Sequence, residues 1–164
     1  MLKFLFAFSI LFCAMISKSQ EVSYDEILSG HKKSAKILAV KVGATWCNYC
    51  KLQDKQIDLH PDLENKLTND FVFLDFNAET LQAISFKGQT YHYMSSGNGA
   101  GINTLALEFS KLLNKKNGYP MWLFFDRDLN YIDGYAGYLP AKTLMKVLEV
   151  LSAGERSRNP GIDR

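Results

Sequence analysis

Two cysteines, Cys47 and Cys50, stand two residues apart directly after the apolar run Lys36-Ile-Leu-Ala-Val-Lys-Val42 and a Gly-containing turn. A short β-branched run of that kind reads as a buried strand, and Asn48 onward reads as a helix through about Ile57. The pair therefore falls where a central strand hands over to a helix. A thiolate there gains from the unpaired N–H groups and the dipole of the helix N-terminus. Two intervening residues put Cys50 one turn beneath Cys47, so one sulfur can attack a disulfide and the other can resolve the mixed disulfide. Trp46 supplies an apolar wall, Lys51 adds positive charge, and the intervening Asn48 and Tyr49 tune the stability of the thiolate.

The rest of the chain is organised to bury that strand. Ser23-Tyr-Asp-Glu26 is a capping box opening a helix to about Lys33. Pro61 suits the first turn of a helix over 61–68. Phe71 to Phe76 reads as a strand, and Phe86 to Tyr91 as a hairpin turning at Lys87-Gly88. Ser95 to Gly101 reads as a flexible loop. Asn103 can cap a helix to about Lys116, with Leu105, Phe109, Leu112 and Leu113 on its inner stripe. Strands over 121–125 and 131–135 follow, joined by a turn at 126–130, and Pro140 starts a last helix to about Ser152. The order predicts an α/β three-layer sandwich with a central mixed sheet and a hairpin/loop insertion at 82–101. Residues 153–164 read as a flexible tail.

The first residues read as an export signal: Lys3, then the 13-residue run Phe4 to Ile16, apolar apart from Ser9, then Ser17 and Ser19 at −3 and −1 of a cut before Gln20. The run is short for a permanent membrane span. The domain is thus expected over 20–152, periplasmic or secreted and not membrane-spanning once segment 1–19 is gone. Residues 1–20 hold two Lys and no acids, so the 19 basic and 17 acidic side chains of the whole become 17 and 17. That balance argues against nucleic acid as a partner. Cys13 leaves as well, and one close cysteine pair is not a structural framework.

Other uses of two thiols fit less well. A structural zinc site usually takes four ligands, whereas His31, His60 and His92 are scattered. None lies near the cysteines in sequence, so a Cys–His hydrolase fits poorly. An inert structural disulfide stays open, as does a module delivering copper or assembling a partner.

Ile37 to Lys51, with its Trp-Cys-Asn-Tyr-Cys-Lys segment, resembles the active-site strand and helix of the thioredoxin superfamily. Gly118-Tyr-Pro-Met-Trp-Leu-Phe-Phe-Asp126 resembles that family's cis-proline loop and following strand, and the glycines of Asp133-Gly-Tyr-Ala-Gly137 match its later turn. The resemblance covers about 36–152 and is nearest to the exported thiol:disulfide interchange proteins of Gram-negative bacteria. It implies that Cys47 is the exposed attacking thiolate and Cys50 the buried resolving one. It implies also that Pro120 is cis opposite them, and that the backbone of Tyr119 is open to an extended substrate. The implied reaction is dithiol–disulfide exchange on exported proteins, leaning to reduction or isomerisation, with a dithiol oxidase as the alternative. It calls for no metal or organic cofactor, but for a membrane or soluble electron donor. Two departures stand out. Asn48-Tyr49 replaces Gly-Pro, and Lys41 occupies the position of a buried acid. Lys41 could serve as a base, stabilise a thiolate by its charge, or snorkel to the surface.

Overall fold

The computed structural model describes residues 24–114 and 118–158. The expected export segment, Ser23 of the capping box and residues 159–164 of the tail lie outside the described residues.

The elements follow the order α1 (Tyr24–His31), β1 (Ile37–Gly43), α2 (Asn48–Asp58), α3 (Pro61–Asp70), β2 (Phe71–Asn77), β3 (Ile84–Phe86), β4 (Gln89–Tyr91), β5 (Tyr93–Gly97), β6 (Ala100–Asn103), α4 (Thr104–Leu112), β7 (Met121–Phe125), β8 (Tyr131–Ala136) and α5 (Ala141–Arg158). Four strands form the main sheet in the order β2-β1-β7-β8. β1 pairs parallel with β2 and antiparallel with β7, and β7 pairs antiparallel with β8. The sheet is mixed, and β1 lies inside it.

All seven residues of β1 are buried, so the strand is covered on both faces. Leu38, Val40 and Val42 join Leu74, Phe76, Leu123 and Phe125 in a core closed by Leu28 of α1 and by Leu105, Ala106 and Phe109 of α4. Ile37 and Ala39 point the other way, into a core with Ile57, Leu63, Leu67, Trp122, Leu144 and Leu148. Alternation along one strand thus builds both halves of a three-layer α/β sandwich.

Three expectations about segment ends change. Ser95 to Gly101 is not a loop: β5 and β6 pair as a second hairpin, and Asn98 and Gly99 both take positive φ (51° and 76°) at its turn. Asn-Gly accepts that left-handed geometry at little cost, which makes it a strong hairpin signal. The tail is helical through Arg158, because nothing between Ser152 and Arg158 forbids a helix until Asn159-Pro160. Helix α4 ends earlier than expected, with Leu113 as its C-cap and Asn114 at φ 55°. Its inner stripe is Leu105, Ala106, Phe109 and Leu113, whereas Leu112 is exposed.

The first hairpin of the insertion is part of the core. Ile84 and Phe86 are buried, and Phe86 meets Phe109 and Phe125 edge-on, with both ring centroids 5.3 Å away. The segment packs on the α1/α4 face of the main sheet rather than along its edge.

His31, at the end of α1, is fully buried. Its Nε2–H donates to the carbonyl of Asp126 at 3.1 Å, while Nδ1 has no hydrogen-bond partner among the described residues. Burial holds the imidazole pKa below its ordinary 6.5. The unfolded chain therefore takes up a proton before the folded one does. This contribution to stability is complete above about pH 6.5 and is lost as the pH falls toward the lowered value. Urea midpoints of the wild type are expected to fall between pH 6.5 and 5, and His31→Gln to flatten that limb; parallel curves for the two proteins would refute it.

Candidate functional site

Cys47 is the N-cap of α2, in extended conformation, and its Sγ accepts the backbone N–H of Cys50 at 3.0 Å. No side chain of the first turn is acidic, so the positive end of the helix is left to the sulfur. Cys47 and Cys50 are joined as a disulfide, with Cα atoms 5.3 Å apart. The preceding loop is tight: Cys47 N–H donates to the carbonyl of Ala44 at 3.0 Å. Gly43 ends β1 directly against the pair, since a Cβ at that position would stand 3.4 Å from Cys50 Sγ.

The expected contrast of an exposed Cys47 and a buried Cys50 is corrected. Each is 5% exposed. In the bonded form both sulfurs share one small apolar cluster with Ala44, and Tyr119 packs against it. The Tyr119–Pro120 peptide bond is cis. Tyr119 is half-buried and Pro120 buried, and burial, followed by the charge of Glu79, raises the Tyr119 phenol pKa. Trp46 is 67% exposed and lies edge-on to Tyr119, ring centroids 5.9 Å apart. Asn48, Tyr49 and Lys51 are all exposed on the first turn of α2, around the sulfurs rather than over them.

Beside the disulfide a pocket of about 470 Å³ opens between Trp46, Tyr119 and Met121 on one side and Ile102, Ala106 and Leu107 on the other. Ile102 belongs to β6 and directly follows the 82–101 insertion, whose second hairpin therefore ends at the pocket.

Lys41 does not snorkel. Its side chain is 2% exposed, and Nζ pairs with Asp54 Oδ1 on α2 and with Asp75 Oδ2 on β2, the latter at 2.8 Å. The counter-ions come to the lysine: both carboxylates are about half-exposed and reach inward. Lys41 shares a face of β1 with Gly43, and Asp54 lies one helical turn beyond Cys50, so the charge cluster sits under the disulfide.

Sequence reasoning missed Asp54, Asp75 and Glu79. Asp54 was open to it, being four residues from Cys50 on one helix face. Asp75 becomes visible only with the register that sets it opposite Lys41. Glu79, 34 residues from Thr45, carries no local signal.

Among the described residues no group of three His, Cys, Asp or Glu is placed to hold a metal ion, and no helix is long and apolar enough to cross a membrane.

The description of the thioredoxin-like domain matches residues 24–152. The chain belongs to the thioredoxin-like domain family. Among solved structures it is similar to a thioredoxin from Thermus thermophilus, with TM-score 0.55 and 16% identity over 86% of this chain and 93% of that one. It is also similar to a disulphide isomerase from Xylella fastidiosa Temecula1, with TM-score 0.53 and 13% identity over 83% and 96%. At such identities the likeness is one of fold. No curated protein matches the sequence.

The cluster under the disulfide gives a stability test. Converting both Asp54 and Asp75 to Asn leaves a buried ammonium unpaired, at an expected cost of about 2–3 kcal/mol, between the ranges for exposed and fully buried pairs. Adding Lys41→Met should recover most of that loss in urea denaturation. No recovery would mean that the charge is not the cause.

Proposed function

We propose that the protein is a thiol-disulfide oxidoreductase that exchanges its Cys47–Cys50 pair with cysteines of exported polypeptides, acting mainly in reduction or isomerisation. The observation that carries this reading is the position of Cys47: a sulfur capping a helix, accepting a backbone N–H, and bonded to a partner one turn further along. The donated N–H and the helix end favour its thiolate once the pair is reduced.

The chemistry runs as two displacements. In the dithiol form the Cys47 thiolate attacks one sulfur of a substrate disulfide; a Cys47–substrate bond forms, the substrate S–S bond breaks, and the other substrate sulfur leaves as thiolate and takes up a proton. Cys50, deprotonated, then attacks Cys47 Sγ. The intramolecular disulfide forms and the second substrate thiol is released, so two electrons pass to the substrate. Tyr119, preceding Pro120 beside the sulfurs, offers main chain along which an extended substrate can lie. Trp46 and the exposed Tyr49 give that substrate apolar surface, while Asn48 and Lys51 set the polarity around it.

Export is read from the charged start, apolar run and small residues of segment 1–19. In an oxidising compartment, periplasmic or secreted, a reductive role requires an electron donor, membrane-bound or soluble, to restore the dithiol.

Reduction of insulin by dithiothreitol tests the reading. Wild type is expected to accelerate it and Cys47→Ala to fall to the uncatalysed rate, whereas Cys50→Ala should accumulate disulfide-linked adducts with substrate proteins. Equal rates for wild type and Cys47→Ala would point to a binding or metal-delivery module instead. The direction follows from the reduction potential: about −270 mV fits a reductant and about −120 mV an oxidase.

A further inference from the structure

The exchange reaction proposed above leaves Glu79 without a role, yet Glu79 holds the two residues directly before Cys47. Its Oε2 accepts the backbone N–H of Thr45 at 2.7 Å and the Thr45 hydroxyl at 2.6 Å. Trp46 follows Thr45 directly in the chain, and its side chain lies next to the same carboxylate. Trp46 has little packing to hold it, being two-thirds exposed, but it stands edge-on to Tyr119 and walls the pocket beside the disulfide.

The backbone that carries Glu79 is itself fixed at two ends. Ala78 N–H donates to the carbonyl of Gly43 at 2.8 Å, tying it to the end of β1. Asn103, fully buried, donates its backbone N–H to the Ala78 carbonyl at 2.7 Å and its Nδ2–H to the Gln82 carbonyl at 3.0 Å. The Oδ1 of Asn103 meanwhile caps α4 by accepting the N–H of Leu105. The carboxylate is thus braced by the end of the central strand and by Asn103, just past the insertion.

We propose that Glu79 is a positioning residue for exchange with polypeptides: it holds Trp46 as the wall of the pocket, so that a substrate chain can seat an apolar side chain there while its disulfide meets Cys47. The lining suits such an occupant, since Ile102, Ala106, Leu107, Met121, Trp46 and Tyr119 bring no charge to it. A small aromatic disulfide needs no such seat. The proposal rests on the exchange activity proposed above.

The groups facing Glu79 are Thr45 and Trp46 from the loop before α2, Asn77 from β2 and Tyr119 from the loop before β7. The hydrogen bonds from Thr45, its hydroxyl first and its backbone N–H next, hold the carboxyl pKa below its usual value. Tyr119 stays neutral in acid, so Glu79 is the group in this set that changes charge as the pH falls.

The test compares wild type, Glu79→Ala and Glu79→Gln on two substrates, insulin and 5,5′-dithiobis(2-nitrobenzoate), and follows Trp46 fluorescence in acid. Glu79→Ala is expected to raise KM for insulin about 5–10-fold, the scale of one typical net hydrogen bond. Its kcat and its rate on the small disulfide should stay within about twofold. Glu79→Gln, whose amide oxygen still accepts from Thr45, should recover most of the loss at neutral pH. The emission lost in Trp46→Phe should shift below the usual carboxylate range in wild type and not in Glu79→Gln. An unchanged KM for insulin, equal losses on both substrates, or an acid shift that persists in Glu79→Gln would each overturn the proposal. A wild type inactive on both disulfides would instead sink the exchange reading, while the fluorescence comparison would still decide whether Glu79 holds Trp46.

Discussion

The burial of β1 on both faces is the constraint on which the rest depends. A strand inside a mixed sheet, bonded to β2 on one side and β7 on the other, has no freedom to shift at its end. Gly43 therefore meets Cys50 at a set distance, and the loop from Ala44 to Cys47 starts from a rigid support. Sites held by regular elements keep their geometry better than sites held by loops alone. Here the sulfurs, the helix cap and Tyr119 all sit within one loop length of a buried strand.

Much of this is legible in the residues themselves. Lys36 to Val42 shows its burial by its apolar and β-branched content, and the Cys-x-x-Cys that follows announces the helix start. Pro61 at the first turn of α3, Asn103 at the cap of α4 and the Leu144, Val147, Leu148, Leu151 stripe of α5 all appear where local rules place them. What local rules miss lies at longer range. The pairing of β5 with β6 was hidden because Ser, Gly and Asn suggest a loop until Asn98-Gly99 is recognised as a turn. The polar residues at the end of α5 suggest fraying, although only Pro160 forbids the helix.

The site divides along the same line. Cys47, Cys50 and Trp46 are found from motif and spacing and Tyr119 from the family resemblance, and the structure gathers them around one disulfide. The ion partners of Lys41 and the carboxylate that holds Thr45 come from other elements, and their relevance depends on strand order and register. A lysine in a buried strand says that a counter-charge must exist, since an unpaired ammonium in the core is costly. It does not say which acid supplies it. The equal burial of the two sulfurs is likewise a property of packing, set by Ala44 and Tyr119 rather than by the spacing of the motif.

Lys41 has one more consequence, for the way the sheet assembles. Side chains alternate strictly along a strand, so a slip of one residue between β1 and its neighbours exchanges the two faces. In β1 that slip would turn Lys41 into the layer of Leu38, Val40 and Val42, away from Asp54 and Asp75. A strand of aliphatic residues alone would find both alignments nearly equivalent. The single cation, neutralised on one side only, breaks that symmetry and marks the one alignment that sets Gly43 under the sulfurs.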